Sequence, residues 1–311
     1  MACRLSTIPI THRILVENHT LKNIDIHIRD PFVLPILAEQ KYYLFGTVGA
    51  QAWTPSASAI DYYTGTDLQN WEGPFAGFRP PAGFWADRNF WAPEVHAYHG
   101  RYYMFASFKA DGARRGTQIL EADTPQGPFV PISAGPVTPR DWECLDGTFF
   151  LDANDQPWMV FCHEWVQVGD GEIYAVRLSE DLRSAVEPPH VLFRASEAPW
   201  ALEINSKGRI GYVTDGPWLH RLANGALIML WSSFSTGGYT VGVAKSTTGD
   251  LLGAWQQVPE PLYAGDGGHC MVFRSFDGQL WLAVHRPNQS PDERPYFIPL
   301  REDGSSLQVV G

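Results

Sequence analysis

The strongest constraint on the fold of this chain is a two-part unit that recurs five times. Its first member opens at Asp30-Pro31-Phe32-Val33, Ala92-Pro93-Glu94-Val95, Asp146-Gly147-Thr148-Phe149, Asp215-Gly216-Pro217-Trp218 and Gly268-His269-Cys270-Met271. Each opening leads into an apolar segment. An aromatic-rich second segment follows 10 to 12 residues on: Tyr42–Thr47, Tyr102–Ser107, Trp158–His163, Leu227–Ser232 and Leu280–His285. The openings lie 62, 54, 69 and 53 residues apart. Turn-forming residues such as His99-Gly100, Asn154-Asp155, Asn224-Gly225 and Asp277-Gly278 separate the two members. Asn-Gly and Asp-Gly between apolar runs are strong hairpin signals. A hairpin repeated at this period, with room for further strands in each unit, predicts an all-β, five-bladed β-propeller. The alternative is an all-β sandwich with regular turns.

Composition fits one long all-β domain: 311 residues, 44% hydrophobic, 13% aromatic, with 12 Trp and 29 Gly. The expected division is an N-terminal arm over residues 1–22 and a propeller over 23–311, with Ile14-Leu15-Val16 pairing to the last blade. No run of 18 apolar residues suggests a membrane-spanning helix. The opening Met1–Thr7 has no apolar stretch of leader-peptide length, so the expectation is a cytoplasmic protein, or a secreted one whose leader has been removed. Four scattered Cys without a CxxC pair argue against a disulfide scaffold and against structural zinc. Cys162 and Cys270 fall inside strand patterns and read as small buried thiols. A net charge of −11 argues against nucleic acid and anionic membrane as partners. Phosphate-loop, dinucleotide, zinc-protease and nucleophile-elbow motifs are absent. Nothing in the sequence specifies an oligomeric state.

In a propeller the innermost strands line the axis, so the five openings converge at one mouth. The second segments run back to that mouth and present Thr47, Ser107, His163-Glu164-Trp165, Ser232-Ser233 and His285-Arg286. Asp30, Asp146 and Asp215 then bring three carboxylates from three units into one pocket. That crowding costs stability through repulsion and desolvation. It suits acid–base chemistry, because crowding drives the pKa values apart. Trp53, Phe90, Trp91, Trp165 and Trp218 fall near the same rim. Flat aromatic faces beside carboxylates suit a sugar, with its apolar C–H face and hydroxyl edge, so the expected partner is a carbohydrate.

Arg29-Asp30-Pro31, Thr66–Trp71, Trp91–Val95, Asp146-Gly147-Thr148 and Asp215-Gly216-Pro217, in this order and spacing, resemble glycoside hydrolase family 43 over roughly residues 24–300. The resemblance implies a five-bladed propeller. It also implies inverting hydrolysis of arabinosyl or xylosyl linkages in plant-type glycans, an α-L-arabinofuranosidase foremost and a β-xylosidase as alternative, with no cofactor needed for the chemistry. By position it makes Asp30 the base, Asp146 the residue that orients substrate and tunes pKa, and Asp215 the general acid. Two departures stand out. The family's acid is usually Glu before Gly-Pro, here the shorter Asp215, and its blade-two motif usually ends in Asp, here Glu94. Glu143 and Glu164 are reserve acids and, with Trp91, Trp165, Trp218 and Arg286, expected sugar contacts. The resemblance puts His269 on the axis beside an ordered water or a Ca²⁺ or Na⁺ ion. A fructan-acting retaining enzyme, suggested by Trp142-Glu143-Cys144, lacks its Asn-Asp-Pro-Asn stretch here. A non-catalytic carbohydrate-binding propeller would not need three acids.

Overall fold

The computed structural model of the chain describes residues 20–48, 52–53 and 59–310. Five antiparallel sheets, each built from consecutive strands, surround one axis as the repeat predicts. Blade one comprises Ile28–Ile36, Lys41–Val48, Ile60–Gly65 and Asn70–Phe78. Blade two comprises Arg88–Tyr98, Arg101–Lys109, Gly116–Ala122 and Val130–Pro131. Blade three runs through Cys144–Leu151, Pro157–His163, Glu172–Arg177 and His190–Arg194. Blade four holds Asp215–Arg221, Leu227–Ser235, Gly238–Ser246 and Trp255–Gln257, and blade five Gly268–Arg274, Leu280–Arg286, Arg294–Glu302 and Leu307–Val309. The long link between blades three and four forms its own hairpin, Ile204–Ser206 with Arg209–Gly211.

Local sequence explains these elements. His99 and Gly100 both take positive φ, 47° and 77°, as a hairpin turn matched to strand twist requires. Leu227–Trp231 is buried without alternation because this second strand is covered on both faces by neighbouring blades. Aromatic side chains fill the spaces between blades. Trp71, Phe78 and Phe108 belong to one buried cluster, Trp200 and Trp231 to another. Each fully buried side chain of this kind contributes about 1.5–3 kcal/mol or more. Gly242 permits one such approach, since a Cβ there would fall 1.9 Å from Cζ2 of Trp200. Cys144, Cys162 and Cys270 are buried and free.

The ring closes by packing of blade five's inner strand on that of blade one. Polar clasps reinforce the seam. Arg29 Nη1 meets Oε1 of the fully buried Glu293 at 2.6 Å, and Arg294 Nε donates to the Ile24 carbonyl at 2.6 Å. Leu21–Lys22 adds a short strand to the outer edge of blade one, opposite Trp71 and Asn70. The segment Ile14-Leu15-Val16, expected to pair with the last blade, lies outside the described residues.

Every inner strand carries a β-bulge at its opening. The ladder is interrupted between Arg29 and Phe32, Trp91 and Glu94, Leu145 and Thr148, Asp215 and Trp218, and Gly268 and Met271. Within each bulge one residue takes a left-handed backbone: Asp30 (φ 52°), Ala92 (46°), Asp146 (56°), Gly216 (50°) and His269 (49°). These five are the equivalent positions. The sequence register is therefore one residue off in blades four and five. Asp215 corresponds not to Asp30 and Asp146 but to Arg29, Trp91, Leu145 and Gly268, one step before the bulge. Bulges re-aim side chains, and here they turn residues of five strands toward one point.

Candidate active site

A cavity of about 390 Å³ opens where the bulges meet. Its floor carries Asp30, Asp146, Asp215, His269 and Arg29, and its walls carry Trp53, Trp91, Trp165, Phe234 and Tyr239. Ile204 and Ser206 of the inter-blade hairpin complete one side. Trp165 is brought there by a one-turn helix, Trp165–Val168, which follows the second strand of blade three and stops at Gly169, φ 81°.

The three aspartates sit in different fields. Asp30 Oδ2 accepts from the Thr47 hydroxyl at 2.6 Å, and Oδ1 lies 3.3 Å from His269 Nδ1. Burial alone would raise its pKa. The His269 and Arg29 charges and the Thr47 bond outweigh burial and hold the carboxyl below its ordinary value. The Asp30 N–H points at His285 Nδ1, 3.2 Å away, so that nitrogen must carry the lone pair and Nε2 the proton, donated to Asn288 Oδ1 at 3.1 Å. Burial, then the Arg29 charge, pushes His285 down to about 3. The 3.4 Å approach of His285 to Asp30 is thus no ion pair.

Asp146 and Asp215 move the other way. Burial, then the Asp30 charge, drives Asp146 well above its ordinary value, against the Gly216 N–H bonded to Oδ2 at 3.0 Å. Burial and the Asp146 charge push Asp215 up to about 7, against the Tyr239 hydroxyl, which donates to Oδ2 at 2.8 Å. Crowded acids of this kind titrate as a set. The cavity therefore depresses one carboxyl group and raises the other two.

The same bulges are tied across the seams between blades. The Ala92 N–H donates to Thr47 Oγ1 at 2.7 Å, Asp146 N–H to Ser107 Oγ at 2.9 Å, and His269 N–H to Ser232 Oγ at 2.8 Å. Asp30 N–H uses His285, as above. Gly216 N–H alone among the five bulge residues bonds a carboxylate of the site.

A family model described as Glycosyl hydrolases family 43 matches residues 24–303. The chain belongs to that family. A crystal structure of an endo-arabinase from Bacteroides thetaiotaomicron is 42% identical, covers 92% of this chain and 99% of that one, and superposes with a TM-score of 0.85. An extracellular exo-α-(1→5)-L-arabinofuranosidase of Cellvibrio japonicus is 25% identical over 183 residues, 54% of this chain and 47% of the relative. An extracellular endo-α-(1→5)-L-arabinanase of Bacillus subtilis is 21% identical over 150 residues, 43% of this chain and 42% of the relative. The chain spans a little under half the length of these curated relatives. Among the described residues no helix is long and apolar enough to cross a membrane.

Against the family-43 expectation, the cavity gathers Trp91, Glu164 and Trp165 with the three aspartates, but not Glu143, Trp218 or Arg286. The Glu143 carboxylate faces a separate cleft with Trp85 and Arg140. Lys109 Nζ at 2.7 Å, Arg114 Nη1 at 3.2 Å and the Arg115 N–H at 3.0 Å hold it there. Burial would raise Glu143, but these partners keep it below its ordinary value, the wrong direction for a proton donor. Glu164 is bonded to the Arg115 guanidinium, which stacks over Trp91 at 4.3 Å. Burial raises Glu164 against that cation. Trp218 lies three residues beyond Asp215, past the bulge, and packs edge-on to Phe32 and flat against His96. Arg286 follows the strand alternation outward. His285 points in, while Arg286 is exposed and lies over Tyr296 at 5.5 Å. Phe90 is core, not rim.

His269 lies on the cavity floor, with Nδ1 3.3 Å from Asp30 and 3.5 Å from Asp146. Among the described residues no group of three or more His, Cys, Asp or Glu side chains could hold a metal ion. The protein donors around His269 thus do not fit a protein-caged ion. Tyr239 and Arg29 also line the cavity, and reasoning from the repeat passed over both. Tyr239 begins a third strand, and only first and second strands were expected at the mouth. Arg29 stood in the motif without a role.

Proposed function

We propose that this family-43 chain is an inverting glycoside hydrolase of arabinosyl linkages, with Asp30 as base and Asp215 as general acid. One observation carries the reading: a single cavity holds Asp30 below and pushes Asp215 up to about 7. Two carboxyls with separated pKa values are what inversion requires. Water attacks the anomeric carbon as its proton passes to Asp30. The bond to the leaving oxygen breaks as Asp215 protonates that oxygen. The product sugar leaves with its configuration inverted. Asp146 keeps Asp215 protonated by like-charge pressure and holds the Gly216 N–H beside it. Tyr239 fixes the Asp215 carboxyl, and the aromatic walls face the C–H surface of the sugar. Asp215 is shorter than the usual Glu. Its place one residue before the bulge, together with the Tyr239 bond, sets where its proton is presented.

The arabinosyl preference rests on the similarity to the endo-arabinase, the arabinofuranosidase and the arabinanase named above. No cofactor takes part in these steps. Excess chelator tests the axial Ca²⁺ that the resemblance implies: unchanged activity removes it. The reading is tested on linear arabinan and on nitrophenyl arabinofuranoside and xyloside. Asp215→Ala should cripple cleavage of sugar leaving groups and spare nitrophenyl ones, which depart without protonation. Equal losses on both substrates would remove Asp215 from the acid role, and preferred cleavage of the xyloside would remove the arabinosyl assignment.

A further inference from the structure

The five seams between blades are built alike except one. On each second strand, the residue paired with the position just before the bulge is Thr47, Ser107, Cys162, Ser232 or His285. Four of these offer an oxygen or nitrogen to the N–H of the next blade's bulge residue. Cys162 does not. Its thiol is fully buried and is a weak acceptor. The thiol instead faces the buried Thr214 hydroxyl. A buried N–H must still be paired. At this seam Gly216 therefore turns to Asp146 Oδ2, at 3.0 Å.

We infer that Cys162 is a positioning residue: by withholding an acceptor at the seam between blades three and four, it commits the Gly216 N–H to the Asp146 carboxylate. Gly216 is the chain neighbour of Asp215. The seam thus ties the backbone of the acid directly to the carboxylate that presses on it. The other charged or titratable groups facing Asp146 are Asp30, Asp215, His269, Glu94, Arg115 and Tyr239, and a change at residue 162 alters none of them. A hydroxyl at 162 would recreate the Thr47 and Ser232 arrangement and take over the Gly216 N–H. Ionised Asp146, having lost a donor, would bind its proton more tightly. Once protonated, it would press less on Asp215, which would then release its own proton at lower pH.

The test compares Cys162→Ser with Cys162→Ala, the latter equally without an acceptor. On arabino-oligosaccharides, the basic limb of kcat/KM for Cys162→Ser should move down by about half a unit to one unit, while Cys162→Ala keeps the wild-type limb. A crystal structure of the Cys162→Ser variant should show the introduced hydroxyl oxygen within bonding distance of Gly216 N and Asp146 turned away. Cys162→Thr gives the same readouts if Cys162→Ser does not yield folded protein. Hydroxyl and Cys162→Ala variants with the same limb, or a hydroxyl variant in which Gly216 still bonds Asp146, would overturn the inference. The pH readout rests on the proposed acid–base roles, whereas the structural readout does not. Failure of the roles alone would leave the hydrogen-bond switch visible in the crystal.

Discussion

Tyr239→Phe isolates one contact of the proposed acid. The hydroxyl that donates to Asp215 Oδ2 at 2.8 Å is removed, while the ring keeps its stack on His285, centroids 5.4 Å apart. A donor to a carboxylate favours the ionised form, so this bond lowers the pKa of Asp215 and its loss must raise it. A hydrogen bond to a charged group is worth about 1.5–3 kcal/mol, and one pKa unit is about 1.4 kcal/mol. A shift of at least about one unit upward from the value near 7 is therefore expected. At pH 8 an acid with pKa 7 is about one-tenth protonated, and one with pKa 8 about half, so the variant should be about fivefold faster there relative to its own plateau. The assay is kcat/KM against pH on arabino-oligosaccharides, because activated aryl leaving groups do not report on the acid. A basic limb that stays in place or moves down would refute the assignment of that limb to Asp215.

Other outcomes follow from the same contacts. Asp30→Asn should lose about 10²–10⁴ in kcat with KM little changed, measured on arabinan, because the base acts mainly in the transition state. Asp215→Asn should gain in Tm over the wild type as pH rises from 4 to 8. The folded-state pKa is raised from 3.8 to about 7, so the stability Asp215 contributes is present below about 4 and lost on the way up to 7. Scanning calorimetry at both pH values measures the difference. Glu293→Ala leaves the largely buried Arg29 without its partner and should destabilise the fold by about 3–5 kcal/mol in denaturant titration. A loss below about 1 kcal/mol would mean that the clasp between blades five and one is not structural.

The five-fold architecture was readable because each blade repeats a strand, a turn and a second strand, and the turn residues are local signals. The register was not readable to the residue. Asp215-Gly216-Pro217 aligns with Asp30-Pro31 by residue type, but the left-handed conformation of the bulge settles on Gly216, the residue that adopts it most readily. Only the backbone reveals that step. Asp30, Asp146 and Asp215 were legible as acids at strand openings, and Trp91 and Trp165 as aromatics at strand ends. Arg286 was misplaced because adjacent strand residues face opposite ways, so His285 took the inward position. Glu143 was misplaced because its ion partners Lys109 and Arg114 lie about 30 residues earlier, on the neighbouring blade. Trp218 was displaced by the bulge itself. Tyr239 enters from a third strand that no spacing rule had placed at the mouth.

The most direct test of the account is the configuration of the first sugar released. Proton NMR of an α-linked arabinosyl substrate, recorded before mutarotation equilibrates the product, should show the β-anomer appearing first, because the proposed base Asp30 would direct water to the face opposite the leaving group. Initial release of the α-anomer would mean retention through a covalent intermediate. That result would contradict the assignment of Asp30 and Asp215 as an inverting pair.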